Sequence, residues 1–110
     1  MNRFKFIRNE KNFPVACLAT NVDRVNGSVT YAVSIWNPKD TFSKKLAREI
    51  ALSRLEKRPH KLDVQSPSSC HEIMKLVMRD MLTRKDLFAN NTKGLPKHVS
   101  TLVAEWLNKA

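Results

Sequence analysis

Residues 28–40, SVTYAVSIWNPKD, hold the point where the chain changes its period, and the fold turns on how they are read. From Ser28 to Trp36 the pattern alternates: Val29, Tyr31, Val33 and Ile35 share one face, opposite Thr30, Ala32, Ser34 and Trp36. A period of two belongs to a strand, whose successive side chains point to opposite faces. At NPKD the alternation stops. There Asn37 can act as N-cap, Pro38 suits the first helical position, and Asp40 follows the cap by three residues. Strands are expected before this point and helices after it.

Upstream, PVACLATNV (14–22) reads as a strand apolar on both faces, and Asn26-Gly27 supplies the positive φ that a hairpin turn demands. RFKFI (3–7) alternates too, with Phe4 and Phe6 on one face and Arg3 and Lys5 on the other, so a third strand can extend the hairpin. Downstream, SCHE (69–72) is a capping box opening a helix with the apolar stripe Cys70, Ile73, Met74, Val77 and Met81. TRKD (83–86) is expected to cap a short helix through Phe88 and Ala89. After the loop NNTKG, Pro96 opens a last helix with Leu95, Val99, Leu102, Val103 and Trp106 on its apolar face. The expected fold is one α+β domain over 1–110: a small antiparallel β-hairpin or three-stranded sheet (1–36), a basic helix (37–58), a Pro/Ser loop (59–69) and a helical C-terminal region (70–110), with three to four helices in all.

The basic helix has the most unusual composition. Residues 37–61 carry eight Lys or Arg against three Asp or Glu, in a chain of net charge +10 and pI about 10.1. At 100° per residue, Phe42, Leu46 and Ile50 line one side, flanked by Ala47 and Ala51, while Lys44, Lys45 and Arg48 project away. The last turn breaks this pattern, because Arg54, Lys57 and Arg58 return to the apolar side and Leu52 falls among the charges. On the plain reading, these cations complement the negative end of the helix dipole. On the functional reading they form, with Lys61, a surface for an anionic partner. Lys44–Arg48 and Arg54–Arg58 are like-charge pairs at i,i+4, a repulsion of about 0.2–0.5 kcal/mol each that a partner's counter-charge relieves. A groove-reading helix is disfavoured, since the cations are split between faces and no Asn or Gln is present to read base edges. Single-strand binding asks for exposed aromatics between cations, and Phe4, Phe6, Tyr31 and Trp36 are expected in the core instead.

Other chemistry is bounded quickly. Two glycines in 110 residues exclude glycine-rich phosphate loops. No apolar run approaches the roughly 20 residues that span a bilayer. MNRFKFIRNEK has cations but no apolar core or cleavage site, so no signal peptide is expected. Cys17 and Cys70 read as reduced, core-facing thiols of a cytosolic protein. His60, His71 and His98 lack metal-ligand spacing, and Cys70 beside His71 carries no local signature of a nucleophile–base pair. Neither a metal, a cofactor nor an enzyme is therefore expected. RPHKLDVQSPSS (58–69) reads as a polar connection, with the exposed Ser66-Pro67 bond as an alternative target for a prolyl isomerase.

PVACLAT…VTYAVSIWNPKD followed by FSKKLAREIALSRLEKRP resembles, over residues 14–59, the anti-RecBCD accessory proteins of lambdoid phages. The resemblance implies a non-enzymatic protein that binds and modulates a host helicase–nuclease of the RecBCD type in the bacterial cytoplasm. Lys44, Lys45, Arg48, Leu52, Arg54, Lys57, Arg58 and Lys61 are the candidate contacts. Trp106 is either a hot-spot anchor or part of the protein's own core. Direct, largely sequence-independent nucleic-acid binding by the basic helix is the alternative.

Overall fold

The computed structural model describes residues 2–36, 43–64, 69–88 and 94–109. Its elements are β1 (Asn2–Arg8), β2 (Pro14–Asp23), β3 (Ser28–Ile35), α1 (Lys44–Lys57), β4 (His60–Asp63), α2 (Cys70–Thr83) and α3 (Lys97–Lys109). The four strands form one antiparallel sheet in the order β1-β2-β3-β4. The α+β class is as expected, with one strand more than the sequence suggested.

Register explains where the core lies. Leu18 pairs with Val33, and Tyr31 is flanked by Thr20 on one side and His60 on the other. The face bearing Leu18, Val29, Tyr31 and Val33 packs against Ile73, Val77, Met78 and Met81 of α2 and Val99 and Val103 of α3. The opposite face presents Cys17, Ala19 and Ala32, which form a second cluster with Ala51 and Leu55 of α1. The sheet is thus the middle of three layers, with α1 on one side and α2 and α3 on the other. The expected faces of β3 hold. In β1 they are reversed in weight, because Ile7 enters the main core while Phe6 is half-buried toward α1 and Phe4 stays exposed.

β4 corrects the expected loop over 59–69. Leu62 packs on the main core, and the His60 ring lies 5.3 Å from that of Tyr31, while Lys61 and Asp63 face outward. Four residues are too few to display a period, and outward charges are what an edge strand uses against unwanted pairing. The strand is anchored at its end by Val64, whose N–H donates to the Gly27 carbonyl at 2.7 Å. Gly27 has φ +65°, and a Cβ there would sit 3.1 Å from the Val64 carbonyl oxygen. The β2–β3 connection runs over residues 24–27, and its Asp23 carboxylate accepts from the Val25 and Asn26 N–H groups.

Helix starts follow side-chain capping. Ser43 accepts from the Leu46 N–H at 3.2 Å, and Ser69 and Glu72 form the expected capping box. Asn37, Pro38, Asp40 and Phe42 lie outside the described residues, as does Ser66-Pro67. The short helix expected from TRKD is absent from 84–88. Thr83 is the last residue of α2, its hydroxyl donates back to the Arg79 carbonyl, and Arg84 is the C-cap. Arg84 Nε also reaches Asp80 at 2.7 Å, a grip that ends α2 rather than starting a new helix.

Asp80 also accepts from the Tyr31 hydroxyl, which ties the sheet to α2. Tyr31→Phe should lose about 2 kcal/mol, measured by urea unfolding, since the bond to a carboxylate goes while Arg84 still holds Asp80. Burial, opposed weakly by the Arg48 charge, pushes the Cys17 thiol from 9.0 up to about 11. A raised acid stabilises the fold while protonated in both states, and that stability is lost as the pH climbs through the folded value. The unfolding free energy from urea titrations should therefore fall between pH 9 and about 11, by an amount on the order of 2–3 kcal/mol. Cys17→Ala should flatten that part of the curve.

A basic cleft at the end of α1 as candidate site

The packing of α1 decides which of its side chains are free. Ala47, Ala51 and Leu55 face the sheet, and the Ser34 hydroxyl donates to the Ala47 carbonyl at 2.9 Å. Small residues on both surfaces let the helix backbone approach that closely. The expected apolar side is therefore rotated out of the core: Leu46 is 53% exposed and Ile50 37%. Leu52, expected among the charges as a partner contact, is half-buried against the Cys17–Ala32 cluster.

The cations of α1 separate into two groups. Lys44 Nζ lies 5.9 Å from the Phe6 ring, and Arg48 is close enough to Cys17 for its charge to act on the thiol. Lys45 is exposed. The second group lies at the other end. Arg54, Lys57 and Arg58 surround a cleft of about 450 Å³ together with Val33, Ile35, His60, Leu87 and Phe88. This cleft opens where β4 stops and β3 continues, because β4 pairs only as far as Tyr31.

Arg54 is the organising side chain. Its NH1 donates to the Val33 carbonyl at 2.7 Å, so the guanidinium closes the stretch of β3 edge left bare by β4. The same group lies 5.6 Å from the Phe88 ring. Burial around the guanidinium lowers its pKa, although the residue as a whole remains exposed. On the far wall His60 Nε2 is 3.0 Å from the Leu87 carbonyl oxygen, which holds the 84–88 segment against β4. Arg58 caps α1 through its N–H to the Arg54 carbonyl at 2.8 Å. Among the described residues, no carboxylate forms an ion pair with Arg54, Lys57 or Arg58.

Two further candidates sit elsewhere. Lys61 is exposed on β4, where its charge contributes last to holding the Asp23 carboxyl below its usual range, after hydrogen bonds from Asn26 and Val25. Trp106 packs on the main core with Lys5 Nζ 5.5 Å from its ring and His71 5.7 Å away, so it is a half-buried part of this protein's own interior. The sequence reading missed His60, Leu87 and Phe88 as cleft residues. No local signal marks them, since they meet Arg54 only through the sheet.

Cys70, expected to face the core, is instead exposed at the first residue of α2, with Arg3 NH1 3.5 Å and Arg24 NH2 3.8 Å from its sulfur. Among the described residues no three His, Cys, Asp or Glu converge as metal ligands, and no helix is long and apolar enough to cross a membrane. No family model matches the chain, and no curated protein or solved structure matches it either.

Replacing Arg54 separates its structural part from the rest of the basic cluster. Arg54→Ala should cost about 1–3 kcal/mol by chemical denaturation, from the lost bond to Val33 and the lost cation–π contact. Arg58→Ala should stay within about 0.5 kcal/mol, as expected for an exposed side chain.

Proposed function

We propose that this protein acts by binding rather than by catalysis, docking through the basic end of α1 on another protein. The observation that carries this reading is the cleft: three cations gather at a concave, partly apolar site, and none of its described lining residues is a carboxylate. A basic surface of this kind steers an acidic protein partner toward it. The resemblance of residues 14–59 to the anti-RecBCD accessory proteins of lambdoid phages names the partner to try first. That partner is a RecBCD-type helicase–nuclease of a bacterial host, modulated in the cytoplasm so that phage DNA is protected or recombined.

The net charge of +10 favours a second reading, direct nucleic-acid binding. Three features of the chain weigh against it. The cations of α1 point to different sides of the helix, and α1 has no Asn or Gln to read base edges. Three of the rings near those cations already carry cations of this protein, with Lys44 and Arg8 on Phe6, Lys5 on Trp106 and Arg54 on Phe88, while Phe4 and Phe13 are exposed away from the cleft.

The two readings separate in purified mixtures. With a RecBCD-type enzyme, size-exclusion chromatography at micromolar concentration should show one complex, and degradation of linear duplex DNA should change several-fold. Separate elution with an unchanged rate would overturn the protein-partner reading. A mobility shift of DNA by this protein alone, weakening steeply with salt, would move the assignment to nucleic acid.

A further inference from the structure

We infer that the cleft between the end of α1 and the 84–88 segment takes an extended acidic peptide segment, carboxylates on its cations and one apolar side chain on its floor. This rests on the reading that the protein acts by docking on a protein partner, and it states which part of that partner is recognised.

Charge comes first. Arg54, Lys57 and Arg58 bring three positive charges to one site, and its described lining residues include no Asp or Glu. The C-terminus of α1 ends here as well, and its dipole opposes an anion with about half a charge. Three full charges against half of one leave the site strongly positive. Arg54 is also held ready. Its bond to Val33 and its place over Phe88 fix the guanidinium plane, while a guanidinium has five N–H donors, enough to leave several for a carboxylate. Burial disfavours its charge, and no described carboxylate offsets that cost. A bound carboxylate would.

The floor supplies the second half of the recognition. Val33 and Leu87 are buried, Ile35 and Phe88 half-buried, and the volume of about 450 Å³ is of the size that takes a small ligand or a few side chains. An extended segment can lay one side chain into it. Arg54 occupies the Val33 carbonyl, so the segment binds by its side chains and not by adding a strand to β3. A nucleic-acid strand fits less well: the Phe88 ring carries Arg54, and the cations of α1 fall into two separate groups instead of one track.

The test uses the full chain and a fluorescein-labelled synthetic peptide alternating Glu with Leu, followed by fluorescence anisotropy. Control peptides replace Glu by Lys or Leu by Ala, and a labelled oligo-dT serves as the nucleic-acid arm. Saturable binding of the Glu/Leu peptide is expected. Each control, and the variant K57E/R58E, should weaken it about tenfold or more. Both substituted side chains are exposed, so thermal unfolding should stay close to wild type. If it does not, K57A and R58A, each expected to weaken the peptide about threefold, serve in its place. No saturation below about 1 mM, equal binding by the variants, or tighter binding of oligo-dT would overturn the proposal. Failure of the peptide while the RecBCD-type enzyme still forms its complex overturns the cleft alone. Peptide binding without that complex supports the cleft and overturns the partner.

Discussion

The close approach of α1 to the sheet is the contact on which the rest of the arrangement depends. Cys17, Ala19 and Ala32 present short side chains where Ala47 and Ala51 arrive, and the Ser34 hydroxyl reaches the helix backbone itself. Interiors are packed to near-crystal density, so a surface of small residues accepts a helix only through its own small residues. That fit fixes the rotation of α1. Leu46 and Ile50, larger and more apolar, are turned toward solvent because there is no depth to receive them. The same rotation carries Arg54 across the edge of β3.

The edge itself explains why a cleft exists. β4 is four residues long and leaves β3 uncovered beyond Tyr31. An open strand edge invites pairing with other chains. Here a guanidinium takes the Val33 carbonyl, and the 84–88 segment, held by His60 at the Leu87 carbonyl, forms the opposite wall. The protected edge, the cation and the apolar floor are consequences of one short strand.

Some of the remaining cations have structural company. Lys5, Arg8 and Lys44 lie over aromatic rings, and Arg84 joins Tyr31 and Asp80 in a polar network between sheet and α2. Within α1, the cations that border a concave site are those at its end, Lys57 and Arg58 beside the preset Arg54.

Local chemistry was legible in the residues. The apolar run of β2, the alternation in β3, the capping box at Ser69, the apolar stripes of α2 and α3 and the helix following Pro96 all follow from backbone geometry within a few residues. The oddity of Arg54, Lys57 and Arg58 was visible as well, as charges on the side where apolar residues began. Tertiary structure alone decided which side of α1 is inside, because that depends on the size of Cys17, Ala19 and Ala32, which belong to other elements of the chain. It also decided that HKLD is a strand, that Leu52 and Trp106 pack inward, and that Leu87 and Phe88 face Arg54. Periodicity records how hydrophobic each position is, whereas burial depends on which surface comes to meet it.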